Sequence, residues 1–317
     1  MTVVVETAAR LHFGVLDLRG SLGRWFGGIG AAAPGPTLRV TAKTAPELRV
    51  EGEDAARALE FARRFQEHSG VRAGVHVHVD CALPRHAGLG SGTQLALAVA
   101  RAMAEVNDMA ADIPELACAV GRTKRSAIGT WTFAGGGLVL EGGRRREGEG
   151  VAPLLARIPF PPSWRCVVAV PAVDGGISGA EEAEAFAQLP PVSENEVERV
   201  AHLVLMGLLP AVAEGDIAAF GAALSAVQRI TGRWFASAQG GTFAPGLSED
   251  LVRRMPEWGA AGAGQSSWGP TVYGVVDGEA AGARLADRVR AAIGRRGAVY
   301  EGPFRVAGAC TSRVPSP

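Results

Sequence analysis

The segment that decides the fold is Pro84-Arg85-His86-Ala87-Gly88-Leu89-Gly90-Ser91-Gly92-Thr93-Gln94, which joins a predicted strand to a predicted helix. Its alternating glycines remove side chains, so consecutive backbone N–H groups can converge on an anion. The helix that begins near Thr93 adds the positive end of its dipole, and two hydroxyl groups add donors. A tight turn with a good N-cap is the alternative, but it does not need alternating glycines. We therefore predict a phosphate site at Gly88, Leu89, Gly90, Ser91, Gly92, Thr93 and Gln94.

The composition is that of an ordinary globular protein with one unusual figure. The chain has 317 residues, and its 32 basic and 32 acidic side chains give a formal net charge of zero. This balance argues against nucleic acid as a partner, because sequence-independent binding to a polyanion requires a basic excess. Glycine is the unusual figure, with 43 residues, about twice its average share. Either the excess is compositional drift, or glycines stand where the backbone approaches a ligand.

The sequence predicts a cytoplasmic protein without a membrane partner. No apolar run approaches the roughly eighteen residues that span a bilayer, and the N-terminus lacks the pattern of a secretory signal. The cysteines are far apart and form no C-x-x-C pair, so we expect reduced, mostly buried thiols, with a zinc site or a catalytic thiol as the alternatives. These cysteines are Cys81, Cys118, Cys166 and Cys310.

Hydrophobic periodicity predicts an α+β protein of two domains, because strands alternate with helices and a proline cluster at residues 159–162 marks a boundary. We place the domains at residues 1–162 and 163–317. The predicted strands are 3–13, 37–41, 47–50, 75–79, 138–140, 166–170, 271–276, 298–300 and 305–308. The predicted helices are 54–68, 93–107, 114–121, 193–212, 216–229 and 278–293.

The segment from Pro84 to Ser91 resembles the phosphate loop of the GHMP kinase superfamily, whose members phosphorylate small alcohols. The resemblance implies a ribosomal protein S5 domain 2-like N-terminal domain and a ferredoxin-like C-terminal domain. It also implies that a kinase would carry an Asp at the position of Gly129 and a Mg²⁺-binding Glu near Cys118. Both acids are missing, which argues against phosphoryl transfer, since little of the usual machinery is left.

Motifs along the whole chain narrow the resemblance. The most specific is Gly262-x-Gly264-Gln265-Ser266-Ser267-Trp268-Gly269-Pro270-Thr271, and the others lie at residues 10–13, 17–18, 20–24, 27–30, 88–94 and 124–129. Together they resemble the β-ribofuranosylaminobenzene 5′-phosphate synthase family of tetrahydromethanopterin biosynthesis. The resemblance implies a phosphoribosyltransferase that condenses phosphoribosyl pyrophosphate with 4-aminobenzoate and releases CO₂ and pyrophosphate. A GHMP-family kinase that uses ATP and a non-catalytic sensor on the same fold remain the alternatives, and 4-hydroxybenzoate remains an alternative acceptor.

Position in the chain suggests roles for the polar residues within this reaction. Asp17 and Arg24 flank the turn after the first strand, and we expect Asp17 to support Mg²⁺ or the developing cation. Arg24 is expected to clamp a phosphate or the carboxylate, and a surface salt bridge is the alternative for either residue. We expect Lys124, Arg125 and Ser126 to hold a phosphate, with an exposed basic turn as the alternative.

The aromatic acid is expected to contact His12, Trp25, Gln265, Ser266, Ser267 and Trp268. Core packing is an equal alternative for Trp25, and a buried structural network is the alternative for the segment from Gln265 to Trp268. We expect no organic cofactor. Relatives of the superfamily suggest a homodimer, and an apolar helix at residues 200–212 agrees with it.

Overall fold

The computed structural model describes residues 1–124, 126–172 and 184–315 of the chain. An eight-stranded sheet and a four-stranded sheet organise these residues, and helices pack on both. The strands are β1 (Thr2–Asp17), β2 (Arg24–Thr44), β3 (Arg49–Gly52), β4 (Val75–Cys81), β5 (Leu138–Glu141), β6 (Arg144–Arg145), β7 (Leu154–Ile158), β8 (Trp164–Pro171), β9 (Gly262–Gln265), β10 (Val272–Asp277), β11 (Gly297–Pro303) and β12 (Cys310–Val314). The helices are α1 (Ala55–Ser69), α2 (Ser91–Val106), α3 (Ile113–Ala119), α4 (Ile128–Gly135), α5 (Glu194–Leu203), a π-helical turn (Val204–Leu208), α6 (Leu209–Glu214), α7 (Ile217–Trp234), α8 (Ala236–Gln239), α9 (Leu247–Glu257) and α10 (Glu279–Ile293).

The larger sheet is built on the long antiparallel pair of β1 and β2. The separate strand predicted at 37–41 was wrong, because those residues belong to β2, which also runs without interruption through the glycines at 27, 28 and 30. The glycines allow the strands to approach: a Cβ atom at Gly30 would lie 2.3 Å from the Leu11 carbonyl oxygen. The order of the main path is β12-β1-β2-β4-β3, with β5 and β6 on β2 and with β7 on β5.

Helices α1 and α2 cover this sheet and fix the position of the glycine loop. The amphipathic helix α1 buries Phe61 and Phe65, and it ends at Gly70 in the left-handed conformation. Helix α2 is apolar on most of its surface and is correspondingly buried. The loop therefore stands between β4 and the first turn of α2, as predicted.

The smaller sheet has the order β11-β8-β10-β9 and is entirely antiparallel. Its buried strand β8 begins after the proline cluster, and α9 and α10 pack on one face. The predicted helix at 193–212 is present but is interrupted by the π-helical turn. Helix α4 and strand β7 were not predicted, because these short segments carry no clear period. Helix α9 was also missed, although its buried residues Ser248, Leu251, Val252 and Met255 recur at helical spacing.

The end of the chain returns to the first sheet. Strand β12 pairs with the start of β1, with Thr2 opposite Val314. The predicted strand at 305–308 was wrong, and the strand forms a few residues later. The largest core cluster contains Phe13 from β1 and Phe220 from α7, so apolar packing crosses the boundary placed after residue 162. That boundary stays a prediction.

Two further expectations concern the thiols and the membrane. The cysteines form no disulfide, but the expectation that most are buried was wrong, since Cys118 and Cys310 are exposed and only Cys166 is fully buried. Within the described ranges, no helix is both long and apolar enough to cross a membrane.

Candidate active site

A cavity of about 540 Å³ opens between the glycine loop, strand β1 and the turn that follows β9. Its volume is within the range of small-molecule sites. Both sheets contribute to its wall, so the site depends on the packing of the two halves of the chain.

Arg10 of strand β1 holds the glycine loop by donating hydrogen bonds to the loop's carbonyl groups. The Arg10 backbone N–H donates to the Leu89 carbonyl at 3.0 Å, and Arg10 Nη1 donates to the Gly88 carbonyl at 2.7 Å. Gly88 and Gly90 have φ angles of 75° and 71°, which favour glycine. With these carbonyls engaged and α2 beginning at Ser91, the loop and the helix N-terminus face the cavity as an anion site.

The turn after β9 packs directly on the same loop. Buried Ser266 Oγ donates to the Gly88 carbonyl at 2.7 Å and accepts from the His12 backbone N–H at 2.9 Å. A Cβ atom at Gly88 would lie 2.1 Å from the Ser266 carbonyl oxygen, so only glycine fits. Ser266 thus connects β1, the loop and the second half of the chain, and it is not among the residues that line the cavity.

One end of the cavity is cationic. The basic residues of its lining are Arg10, Arg57, Arg85, Arg122 and Lys124, and the described lining includes no carboxylate. Like charges this close repel one another, and an anionic ligand would relieve that repulsion. The arrangement suits a phosphate or polyphosphate ligand.

The other end of the cavity is aromatic. The Trp268 ring lies 4.8 Å from that of Phe235 and 5.5 Å from that of Phe186, and the Phe186 ring lies 5.4 Å from that of Phe26. All four rings line the cavity. The rings meet edge to face, and the Arg144 guanidinium lies 5.9 Å from the Phe26 ring, so this part of the wall is an apolar surface with a cation near it.

An amide network supports this aromatic end. Gln265 Oε1 accepts from the Ala244 backbone N–H at 2.7 Å, and Gln265 Nε2 donates to Gln239 Oε1 at 3.1 Å. The Gln265 backbone N–H donates to Gln228 Oε1 at 2.7 Å. All three glutamines line the cavity, and their hydrogen bonds fix the wall on which the rings pack.

His12 also lines the cavity. Burial, followed by the positive charge of Arg10, lowers the pKa of its imidazole to about 3. The ring is therefore neutral at physiological pH and carries one donor and one acceptor nitrogen.

A buried carboxyl group, Glu141, lies behind His12. It accepts hydrogen bonds from the backbone N–H groups of Gly143 at 2.7 Å and Ala127 at 3.3 Å. Burial nevertheless raises the pKa of this carboxyl to about 7. A Cβ atom at Gly28 would lie 3.3 Å from His12 Nε2 and 3.4 Å from Glu141 Oε1. The imidazole and the carboxyl group therefore both border the position of the missing Gly28 side chain.

Unusual backbone conformations gather around the cavity. Within the described ranges, five residues other than glycine have positive φ angles, and Phe26, His86 and Ser267 among them line it. Such conformations are uncommon outside glycine and concentrate where a site needs a particular geometry.

The structure brings most of the predicted site residues to this cavity. Those on its wall are Gly88, Leu89, Gly90, Ser91, Gly92, Thr93, Lys124, Ser126, His12, Gln265, Ser267 and Trp268. Gln94 lies behind the wall, where it accepts from Thr7 Oγ1 at 2.8 Å and donates to the Gly129 carbonyl at 2.9 Å. Arg125 lies outside the described residues.

Asp17, Arg24 and Trp25 are not part of the lining. Asp17 Oδ1 closes a turn by accepting from the backbone N–H groups of Arg19 at 2.6 Å and Gly20 at 3.1 Å. Arg24 donates to the Gly143 carbonyl at 2.8 Å. The Trp25 ring packs on Gly20, which agrees with the packing alternative for this residue. The roles of Asp17 and Arg24 stay predictions that this geometry does not favour.

Sequence reasoning gave no role to several wall residues. Arg10 had a usable signal, because Arg10, His12 and Gly14 alternate along β1 and all three line the cavity. Arg57 and Phe235 had none, since each belongs to a helical segment whose pattern reports only burial.

The expected Mg²⁺ finds little support in these residues. The described part of the chain contains no group of three or more acidic, histidine or cysteine side chains that would hold a metal ion. Asp17 Oδ1 already accepts two backbone hydrogen bonds, and the described lining offers no carboxylate. The residues do not fit a Mg²⁺ ion held by the protein. A Mg²⁺ ion that arrives on phosphate oxygens belongs to the substrate.

The fold and the anion-binding loop define a protein with the two domains of the GHMP kinases. Residues 56–135 match the GHMP kinases N terminal domain, and residues 208–294 match the GHMP kinases C terminal domain. Homoserine kinase from Cytophaga hutchinsonii superposes with a TM-score of 0.71 at 15% identity, covering 98% of this chain and 97% of that one. L. major mevalonate kinase superposes with a TM-score of 0.67 at 16% identity, covering 95% and 96%. These structures confirm the predicted α+β fold.

Sequence relatives are more specific. The β-ribofuranosylphenol 5′-phosphate synthase of Methanothermobacter thermautotrophicus is 36% identical over 87% of this chain and 89% of its own. The protein of the same name from Archaeoglobus fulgidus is 35% identical over 88% and 89%. The chain belongs to the β-ribofuranosylphenol 5′-phosphate synthase family, and it is therefore an enzyme on a GHMP kinase fold.

Proposed function

We propose that this enzyme transfers the phosphoribosyl group of phosphoribosyl pyrophosphate to the ring of a para-substituted benzoate, with loss of CO₂ and pyrophosphate. The observation that carries the proposal is the division of one cavity into a cationic end with a glycine loop and an aromatic end. The ribosyl donor and the aromatic acid match these two ends. The names of the archaeal relatives specify a phenol product, which favours 4-hydroxybenzoate over 4-aminobenzoate as the acceptor.

The reaction balances without a redox partner. The ring carbon that bears the carboxylate attacks C1 of the ribose, and the C1–O bond breaks with its electron pair leaving on pyrophosphate. The bond from the ring to the carboxyl carbon then breaks, its electron pair restores aromaticity, and CO₂ departs. No net proton is taken up or released at the ring.

The glycine loop serves the first step. Negative charge accumulates on the pyrophosphate as the ribosyl centre becomes cationic, and fixed donors aimed at that charge lower the barrier. The N-terminus of α2 and Arg10 provide such donors beside Gly88 and Gly90. Arg10 and Ser266 hold the loop from two directions, so little reorganisation is needed.

The aromatic end serves the second step. A carboxylate is poorly solvated beside rings such as those of Phe26, Phe235 and Trp268, whereas CO₂ is neutral. Loss of CO₂ therefore removes a charge from a place that disfavours it. The neutral imidazole of His12, with its low pKa, lines the cavity and can hydrogen-bond without adding charge.

Two features argue against a kinase. Gly129 stands where the superfamily resemblance places an Asp. A Cβ atom at this position would lie 3.1 Å from Thr93 Cγ2, so the carboxylate that a kinase would need is missing beside the glycine loop. The described lining also lacks any other carboxylate that would act as a base.

One assay tests the proposal against both alternatives. Pure protein is incubated with phosphoribosyl pyrophosphate and Mg²⁺, with either 4-hydroxybenzoate or 4-aminobenzoate, and CO₂ and pyrophosphate are measured. We expect equimolar release, faster with 4-hydroxybenzoate. ADP formation from ATP and homoserine or mevalonate without CO₂ release would favour a kinase. Binding of the donor without any turnover would favour a sensor.

Asp17 and Arg24 remain candidates for this reaction at the edge of the site. Asp17 pairs with Phe26 across the sheet, and Phe26 lines the cavity. We expect Asp17→Asn and Arg24→Ala to lower turnover strongly while the melting temperature changes little, because Asn keeps the oxygen that closes the turn. Unchanged kinetics in both variants would remove these residues from the site.

We further propose a homodimer that uses the helical segment around residues 200–212. Leu205 and Met206 expose more than half of their surface at the π-helical turn. Sedimentation of the protein beside a Leu205→Glu/Met206→Glu variant tests this, and a monomeric native protein would contradict it.

A further inference from the structure

A second cationic cluster lies in the cavity beyond the glycine loop. Arg57 stands in the first turn of α1, and Arg85 stands three residues before Gly88. Both line the cavity. Both belong to the cationic end, but the proposed reaction places the leaving pyrophosphate at the glycine loop and Arg10, and it does not specify which group Arg57 and Arg85 contact.

The guanidinium of Arg57 is largely buried, which is energetically unfavourable for a charged group. Its side chain is only 18% exposed, and its Nε is buried without a hydrogen-bond partner. Asp54, whose side chain is 7% exposed, forms an ion pair with Arg57 and approaches Arg85 Nη1 at 4.0 Å. Two guanidinium groups thus share one carboxylate within ion-pair distance, and the exposed Glu60 also acts on Arg57 from farther away. Such burial destabilises the folded protein, and an anion in the cavity would offset the cost through the exposed part of the guanidinium that lines the wall.

The cluster lies next to the glycine loop, and Arg122 stands between the two. The Arg122 guanidinium lies 4.9 Å from the centroid of the Phe61 ring, one helical turn beyond Arg57 on α1. Arg122 Nη2 would lie 2.7 Å from a Cβ atom at Gly92, so it touches the loop itself. A ligand with two phosphoryl groups can therefore contact the loop and the second cluster together.

The local backbone also fits a ligand site. Asp54 adopts a left-handed conformation with φ of 54°, and so does His86, which follows Arg85 and lines the cavity. These two strained residues hold the segments that carry the two arginines.

We propose that Arg57 and Arg85 form a second phosphate subsite, separate from the glycine loop, that binds a phosphoryl group of the ribosyl donor remote from the reacting carbon. That group is either the 5′-phosphate or the terminal phosphate of the pyrophosphate, since both offer the same oxygens to a guanidinium. The identity of the donor rests on the proposed function, whereas the existence of the subsite does not.

Calorimetric titration with two probes tests the subsite without turnover. Ribose 5-phosphate carries only the 5′-phosphate, and inorganic pyrophosphate carries only the pyrophosphate group. We expect Arg57→Gln to lower the affinity for one of these probes at least tenfold and the affinity for the other less than threefold. Arg85→Gln should lower the affinity for the same probe severalfold. The weakened probe identifies the group that the subsite binds.

The matched control is Arg63→Gln, which removes the same charge from an exposed position of α1 outside the cavity. It should change neither affinity by more than twofold, and thermal melts should show that all variants fold. Arg85 is 59% exposed, so its variant keeps the test valid even if Arg57→Gln is unstable. Unchanged affinity for both probes in folded variants would overturn the subsite. Absence of CO₂ in the turnover assay would overturn the reaction and leave the binding result standing.

Discussion

At the scale of single residues, the buried Glu141 makes the stability of this protein depend on pH. Its pKa is about 7 in the folded protein against 4.5 for an ordinary glutamate. Between these values the folded state keeps a proton that the unfolded state releases, so the carboxyl lowers the stability as pH rises. Below pH 4.5 the carboxyl is protonated in both states, and above about pH 7 its contribution is constant.

Glu141→Gln removes this titration and keeps the shape of the protonated side chain. We expect the stability of the variant relative to the native protein to rise by about 3 kcal/mol between pH 4.5 and pH 7, because one pKa unit corresponds to about 1.4 kcal/mol. Urea unfolding at a series of pH values measures the difference. His12 titrates in both proteins and cancels. A difference that stays constant with pH would contradict the raised pKa.

Gly129 tests whether a restored carboxylate makes a kinase. The residue is buried at the start of α4, against Thr93 of the loop helix. We expect Gly129→Asp to produce no ADP from ATP and small alcohols, and to weaken pyrophosphate binding at least tenfold, because a new negative charge lies beside the anion site. Gly129→Asn is the control for size, and it should weaken binding much less. ADP formation by the Asp variant would show that this one residue separates the two reactions.

At the scale of elements, the glycines of the loop differ in how strictly the structure requires them. Gly88 has a φ of 75°, and a Cβ atom there would meet the Ser266 carbonyl oxygen at 2.1 Å. Gly92 has an ordinary φ, and a Cβ atom there would meet only the flexible end of Arg122, at 2.7 Å.

We therefore expect Gly88→Ala to destabilise the protein by about 1–3 kcal/mol and to abolish pyrophosphate binding. Gly92→Ala should fold almost normally and weaken pyrophosphate binding severalfold by displacing Arg122. Thermal melts and pyrophosphate titrations measure both. Equal loss of stability in the two variants would contradict this distinction.

The elements also differ in how well they could be predicted from the sequence. The loop, the strand before it and α2 were predictable because glycine spacing, period-two alternation and an apolar helix all agree there. The continuous β2 was not, because its glycines resemble a break until β1 supplies the close contact at Gly30. The π-helical turn was missed because an inserted residue leaves the apolar composition unchanged.

The candidate site shows the same limit. Loop residues and the turn from Gln265 to Trp268 were predictable from local chemistry. Arg57 and Phe235 reach the cavity only because α1 and the end of α7 pack beside it, which no local pattern encodes. Asp17 and Arg24 show the converse, since a polar turn at the end of a strand suggested a site, yet the structure assigns them backbone contacts.

At the scale of the whole molecule, the two halves of the sequence share apolar packing. The larger core cluster joins β1, α2, β8 and α7, and the cavity takes one wall from each half. The site is therefore sensitive to how the halves pack, and the hydrogen bonds of Ser266 to Gly88 and His12 link them directly.

The chain terminus supplies the last test at this scale, because β12 covers the edge of β1. Its residues are exposed, and their main contribution is the ladder of pairs from Thr2↔Val314 to Glu6↔Cys310. Deletion of residues 310–317 would leave that edge unpaired and prone to association. We expect a loss of about 2–3 kcal/mol, from several ladder hydrogen bonds worth roughly 0.5–1.5 kcal/mol each.

The truncated protein should melt a few degrees lower and associate at high concentration, while its affinity for pyrophosphate stays within twofold at low temperature. The affinity is retained because Arg10 and His12 lie on β1 beyond the segment that β12 pairs with. Arg313→Ala is the control, since it removes the exposed contacts to Asp108 and Glu105 but keeps the strand, and such exposed ion pairs contribute little. If the point variant destabilised the protein as much as the deletion, side-chain charges rather than backbone pairing would hold the terminus in place.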